Sequence, residues 1–353
     1  MKKVWKIIGI CFLVIVCALL CGIGYLTAAE YKPEEAEAAP AQIQEGNPVP
    51  VGQPLTIITW NTGYAGLSKE ADFFMDGGSM VLPTSQSVVE ENLIAISQFL
   101  DEEQADLYFL QEVDRNSKRT EYMDQLAYYE EQTGLSWAYG VNYRCPYVPY
   151  PFPTLGKMEC GNVTLSALDM EQDAVRVSLP CPFTWPIRVA NMKRCLLVTR
   201  HQLEGTDREL VTVNLHLEAY DDGEGKIAQT KKMLQILEEE YAKGNYVIAG
   251  GDFNQSFPGA TDVFPVRNNE LWQPSLLDPD ALGDGWQYLY DSKTPSCRLL
   301  NQAYDPDSPD TQYYVIDGFI ISPNVTAVSV ETMDLRFENT DHNPVKAELI
   351  LEP

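Results

Sequence analysis

The sequence is short of positive charge and of histidine. Its 25 basic side chains face 51 acidic ones, a formal net charge of −26, and it holds three histidines. That balance argues against a broad basic groove for a nucleic-acid backbone. It does not exclude chemistry on phosphates, because bound cations supply positive charge locally. No Cys-x-x-Cys pair occurs, so the usual zinc spacing is absent. No internal repeat is present either, which excludes a repeat architecture. What remains is a chain of 353 residues, 45% hydrophobic, long enough for one large packed domain or two small ones.

The clearest compositional break is N-terminal. Lys2, Lys3 and Lys6 precede Ile7 to Ala29, 23 residues without a charge. At about 1.5 Å per residue this length spans a bilayer core, whereas the apolar core of a signal peptide is shorter. An uncleaved anchor over residues 1–29 is therefore favoured, with the lysines in the cytoplasm and the rest outside. A cleaved signal and a secreted protein are the alternative. Beyond the anchor 22 basic residues face all 51 acids. Residues 30–54 are rich in Pro, Glu and Ala and read as an extended tether. Cys11, Cys17 and Cys21 lie in the apolar segment; Cys145, Cys160, Cys181, Cys195 and Cys297 lie beyond it. Five is odd, so any disulfides leave one thiol over.

Residues 55–353 mix strands and helices. "LTIITWN" from Leu55 and "DLYFLQEVD" from Asp106 are short apolar strands with polar ends. "SVVEENLIAISQFLDEEQ" and "KIAQTKKMLQILEEEYAKG" carry helical periodicity, the second closed by Gly244. "CLLVTRHQL" and "ELVTVNLHL" flank "EGTD" as a hairpin. "YVIAGGDFN", "YYVIDGFII" and "VKAELIL" complete an α/β domain with mixed sheets. Two segments, 142–162 and 178–194, are packed with proline and aromatics and read as irregular loops, a rim for a substrate or a membrane surface.

Polar groups recur where strands end: Asn61, Gln111-Glu112, Asn214 and His216, Asp252 and Asn254, Asp317, Asp341-His342. Each alone reads as a turn former or ordinary surface polarity. His201, inside a hairpin strand, reads as structural. Together they converge, because α/β sheets gather sites at a common strand edge.

The set resembles the endonuclease/exonuclease/phosphatase superfamily, with the DNase I-like fold. The matching motifs run in family order, "TWN", "LQEV", "GNVTLS", "VNLHL", "GGDFN", "IDGFIIS" and "TDHNPV", from Leu55 to Leu351. Thr340 stands where the pattern often has serine, and Gly318 where it often has an aromatic. The resemblance implies a four-layered sandwich of two mixed β-sheets flanked by helices. It implies a phosphoric ester hydrolase using Mg²⁺ or Mn²⁺. Glu112 would be the principal metal ligand, with Asn61 and Asp341 nearby. His342 would be base or charge stabiliser, oriented by Asp317. Asp252 would orient or deprotonate the attacking water, and Asn254 and His216 would donate to phosphoryl oxygens. The substrate is expected to be a phosphate ester: a phospholipid or sphingomyelin headgroup, with DNA or RNA as the alternative. An inactive binding module on the same fold is the remaining reading.

Overall fold

The computed structural model describes residues 2–221 and 223–353. Along the chain come α1 (Lys2–Ala28), β1 (Ala36–Ala38), β2 (Ala41–Gln42), β3 (Pro54–Asn61), α2 (Gln86–Glu103) and β4 (Leu107–Asp114). Then follow α3 (Gln125–Thr133), β5 (Ser136–Val148), β6 (Gly156–Ser166), β7 (Val175–Ser178), β8 (Cys195–Gln202) and β9 (Glu209–His216). After α4 (Glu224–Ala242) come β10 (Tyr246–Asp252), β11 (Gln255–Ser256), β12 (Ser275–Leu276) and β13 (Gln287–Leu289). The chain closes with β14 (Cys297–Arg298), β15 (Tyr313–Tyr314), β16 (Asp317–Ile321), β17 (Val325–Thr332) and β18 (Val345–Leu351).

Two mixed seven-stranded sheets face each other. One runs β17-β18-β3-β4-β6-β5-β2, the other β1-β7-β8-β9-β10-β16-β13. Between them pack Leu55, Ile57, Leu107, Phe109, Tyr246, Ile248, Phe319 and Leu349. The alternate residues of the same strands face outward under helices. Ile58, Trp60, Tyr108 and Leu110 meet α2 through Leu93 and Ile96, and α3 through Leu126 and Tyr129. Val247, Ala249, Val213 and Leu215 meet α4 through Met233 and Leu237. The result is the expected four-layered α/β sandwich. Both faces of the central strands are buried, which is why they read as continuous apolar runs rather than alternating ones.

The helix ends carry ordinary caps. Ser85 Oγ accepts from Val88 N at 3.3 Å, Asp124 accepts from Ala127 N at 3.4 Å, and Gly134 takes the left-handed C-terminal position of α3. The hairpin read around "EGTD" is β8 antiparallel to β9. The segment 142–162, read as an irregular loop, is mostly strand instead: its ends belong to β5 and β6, which pair antiparallel, and only the stretch between Val148 and Gly156 is a loop. "YYVIDGFII" divides: Tyr313–Tyr314 pair with Cys297–Arg298, and only Asp317–Ile321 enter the large sheet. Residues 30–54 are extended and strapped to the sandwich. Their β1 pairs with β7 at the edge of one sheet and their β2 with β5 at the edge of the other. Helix α1 has no buried residue and contains an 18-residue stretch of mean hydropathy 3.0, long and apolar enough to cross a membrane as an anchor or to serve as a signal sequence. All the described cysteines are free thiols; of the five beyond α1, only Cys181 is not fully buried.

Candidate active site

Strand register gathers the polar strand ends at one edge of the sandwich. In one sheet Asp252 is the cross-strand partner of both His216 and Asp317. In the other, Asn61 pairs with Gln111, and His342 lies just ahead of β18, the strand beside β3. Two glycines permit this closeness. A Cβ at Gly251 would lie 1.9 Å from the Leu215 carbonyl oxygen, and one at Gly250 would lie 2.4 Å from the Phe319 ring. The Gly-Gly pair before Asp252 is thus required by the approach of β9 and β16.

Strand β4 carries a bulge. Leu110 pairs with Val163 and Val113 with Gly161, so Gln111 and Glu112 together oppose one residue. Glu112 takes φ +58°, an uncommon conformation for a non-glycine residue. The bulge separates the two side chains. Gln111 turns between the sheets and donates to Asn214 Oδ1 at 2.9 Å. Glu112 turns into the cleft.

The centre of the site is a connected network. His342 Nδ1 lies 2.8 Å from Asp317 Oδ2. Ser296 Oγ donates to that same oxygen at 2.7 Å while accepting from Ile316 N and Asp317 N. Asn61 Nδ2 donates to Asp252 Oδ2 at 3.0 Å and to Glu112 Oε1 at 3.2 Å, and its own oxygen accepts from Gly63 N. His216 Nε2 stands 3.5 Å, and His342 Nε2 3.8 Å, from Asp252 Oδ2. Asn254 accepts the left-handed conformation, φ +50°; its N–H reaches Asp252 Oδ1 at 2.8 Å and its amide donates to Leu217 O. Trp60 donates to the His342 carbonyl, and Thr340 to the Asn61 carbonyl, so both loops are pinned.

Charge in this network is strongly perturbed. Burial and then the charge of Asp317 push the Asp252 carboxyl up to about 7, against the opposing pull of His342. Burial works against charge on His342, but the neighbouring acids, Asp317 foremost, override it and raise its pKa well above the ordinary imidazole value. His216 is held neutral by burial and by Arg194. Burial, with Glu112 adding to it, pushes Asp341 up to about 6. Two acidic groups that crowd one cleft in this way suit a hard divalent cation, and Glu112 and Asp341 offer it carboxylate oxygen, while Asn61 turns its amide nitrogen toward Glu112 and its oxygen toward Gly63 N–H. Two other donor clusters lie within 4.8 Å, Asp252-Asp317-His342 and Cys297-Asp341-His342. His342 Nδ1 is already committed to Asp317, and burial pushes the Cys297 thiol up to about 12, so neither cluster is an oxygen cage.

The structure therefore brings together Asn61, Glu112, His216, Asp252, Asn254, Asp317, Asp341 and His342. Seven of them line one cavity of about 260 Å³, and Asp317 stands behind His342. Sequence reasoning missed Ser296, which lies in no apolar run. It also missed Asp76, held by the Tyr220 hydroxyl at 2.8 Å, and the buried pair Arg194–Glu218 at 3.3 Å, all on the cavity wall. His201 is structural, its Nδ1 3.1 Å from the Asp169 carbonyl.

The profile described as Endonuclease/Exonuclease/phosphatase family matches residues 58–342. No curated protein matches the chain. Among solved structures it is similar to an endonuclease/exonuclease/phosphatase from Beutenbergia cavernae DSM 12333, at 20% identity and TM-score 0.59 over 85% of this chain and 72% of that one. It is similar to one from Bacteroides vulgatus at 15% identity and TM-score 0.52, over 85% and 100% of the two chains. The catalytic domain of human Nocturnin matches at 14% identity and TM-score 0.50, over 88% and 96%.

Proposed function

The chain belongs to the endonuclease/exonuclease/phosphatase family, and on that premise we propose that it is a membrane-anchored phosphodiesterase dependent on Mg²⁺ or Mn²⁺. Its substrate in this reading is a phospholipid or sphingomyelin headgroup, and the catalytic domain lies outside the cytoplasm. The observation that carries the hydrolytic reading is the Asp317–His342 pair at 2.8 Å, set beside Asp252 and the Glu112–Asp341 acids.

Each residue has a task. Asp252, with its carboxyl near 7, takes the proton of the attacking water and aims it in line. His342, held charged by Asp317, donates from Nε2 to a phosphoryl oxygen as negative charge builds. His216 and Asn254 add neutral donors beside it. Asn61 fixes Asp252 relative to Glu112 through one amide group. Glu112 and Asp341 would hold the divalent ion, with Asn61 nearby to orient them; when bound, the ion polarises a phosphoryl oxygen.

The cavity supports a lipid over a nucleic acid. The same cavity is also lined by Phe73, Phe74, Met75, Met192, Trp272 and Leu300. Its three arginines are already committed: Arg119 to Asp114 at 2.9 Å, Arg194 to Glu218, and Arg298 to the carbonyls of Ser68 and Ala71. Polyanion binding relies on free cations. Full-length protein assayed in parallel on sphingomyelin, phosphoinositides, plasmid DNA and RNA, with Mg²⁺ and with EDTA, tests the proposal. Mg²⁺-dependent cleavage of a lipid is expected. Cleavage of DNA or RNA with the lipids untouched overturns the substrate assignment.

A further inference from the structure

We infer that the two proline- and aromatic-rich loops form a membrane-seated lip, so that the active-site cavity opens onto the lipid surface. The inference rests on the reading of α1 as a membrane span and goes beyond it. An anchor alone leaves the domain free to face any direction; the contacts described here do not.

The last turn of α1 packs directly against both loops. Leu26 joins the cluster of Cys145, Val148, Met158, Leu155, Tyr143 and Ala190 at the base of the segment joining β5 and β6. Trp185 in the second loop donates its indole N–H to Thr27 Oγ1 at 3.1 Å. Arg188 Nε reaches Glu30 Oε1 at 3.1 Å, two residues past the end of the helix. A 27-residue helix is about 40 Å long, more than the roughly 30 Å hydrocarbon core, so its final turn lies among the headgroups. Side chains touching that turn lie at the same depth.

The residues presented there are of the interfacial kind. Phe152 is 92% exposed, Tyr150 73%, Ile187 63% and Trp185 55%. Aromatic side chains of this type concentrate at the headgroup level of a bilayer, and exposed apolar groups gathered on one surface mark a binding face. The occupant is fixed by continuity with α1: a lipid surface already surrounds the adjoining helix. The same two loops also wall the cavity. Leu155 of the first loop lines it, with Tyr143 and Met158 from the strands β5 and β6 that carry that loop, and Phe183 and Met192 line it from the second. Tyr150 packs near Phe74, another lining residue, with ring centroids 6.5 Å apart. A lipid headgroup thus reaches Asp252 and His342 without its chains leaving the bilayer.

The test uses the full-length chain in phosphatidylcholine nanodiscs carrying acyl chains brominated near the headgroup. Phe152→Trp places a reporter at the lip, and Val328→Trp, 51% exposed on β17, a reporter away from it. The account expects bromine quenching of the added Phe152→Trp emission and none for Val328→Trp. Equal, water-like emission from both overturns the docking, whatever the enzyme hydrolyses. Phe152→Ser with Ile187→Ser should lower turnover of a lipid diester in the same discs at least tenfold, while a soluble diester is hydrolysed within twofold of the parent rate. Equal loss on both substrates, or on neither, overturns the role of the lip. A parent enzyme that hydrolyses neither substrate defeats the phosphodiesterase reading alone, since the quenching still decides the docking. An intact mass lacking residues 1–29 removes the anchor and overturns the inference with it.

Discussion

Nδ1 of His342 lies 2.8 Å from Oδ2 of Asp317, across 25 positions of sequence. The pair is buried, and Ser296 donates to the same carboxylate oxygen from behind. One ring nitrogen is thereby fixed, and the other, Nε2, points at the cleft where Asp252 and Asp341 stand 3.8 Å away. His342→Ala should be nearly inactive. Asp317→Asn should lose about 10²-fold or more in kcat, because the ring is released or takes the wrong tautomer. Ser296→Ala should lose less, about tenfold, by loosening Asp317 alone. Steady-state kinetics on a soluble diester checks the ranking; full activity in Asp317→Asn contradicts it.

Glu112 combines an acid with a strained backbone. Glu112→Gln should abolish turnover and weaken Mg²⁺ binding while the fold is kept, seen by calorimetry and circular dichroism. Glu112→Gly should be equally inactive but more stable by about 1 kcal/mol, since glycine adopts φ +58° without penalty. A melting temperature below that of the parent would show that the bulge stores no strain.

The pH dependence follows from Asp252 and His342. A carboxyl raised to about 7 is protonated below that value, so kcat/KM should fall as pH drops through 7 toward 5. His342 is raised well above its ordinary value, so the loss on its deprotonation should come only on the alkaline side. A flat profile between pH 5.5 and 7.5 would remove Asp252 as the base.

Stability should depend on the same groups. Asp252 and Asp341 have folded pKa values of about 7 and 6, above the ordinary carboxyl value of 3.8. Raised carboxyls lose their protons first in the unfolded chain, so they destabilise the metal-free fold increasingly as pH rises from about 4 to 7. His201 and His216, depressed by burial, act at the acidic end, where falling pH favours unfolding. Mg²⁺, which Glu112 and Asp341 would hold, should offset the carboxylate part. The gain in melting temperature on adding Mg²⁺ should therefore grow from pH 5 to pH 8.

Much of this was legible in the sequence, for a physical reason. Strands buried on both faces appear as apolar runs, so the point where each run meets Asn61, Glu112, His216 or Asp252 marks the sheet edge. The Gly250-Gly251 step is visible in the sequence, but its reason is tertiary: a Cβ there would meet Leu215 or Phe319. Other features depend on tertiary contact. The positive φ of Glu112 arises from the bulge against β6, which no single-strand pattern reveals. "YYVIDGFII" looks like one strand, yet Ser296 caps Ile316 and Asp317 and splits it between two sheets. Residues 30–54 have a linker composition but find open edges on both sheets. The apolar wall from Phe73 to Met75 comes from a loop whose only regular piece is one short 3-10 turn, Phe74–Asp76, too short to show periodicity.

Gly251→Ala should fail to accumulate as folded protein. A Cβ 1.9 Å from a backbone oxygen forces β9 and β10 apart, a cost well above 3 kcal/mol. Soluble expression followed by circular dichroism checks this; a folded, active Gly251→Ala protein would mean that the two strands are more loosely joined than described.

The most direct measurement of the account is hydrolysis of bis(p-nitrophenyl) phosphate by the full-length protein at pH 8, with Mg²⁺ or with EDTA, beside Glu112→Gln and His342→Ala. The account predicts turnover by the parent with Mg²⁺, loss in EDTA restored by added Mg²⁺, and at least a hundredfold loss in each variant. Turnover that survives EDTA, or that both variants retain at the parent rate, would contradict it.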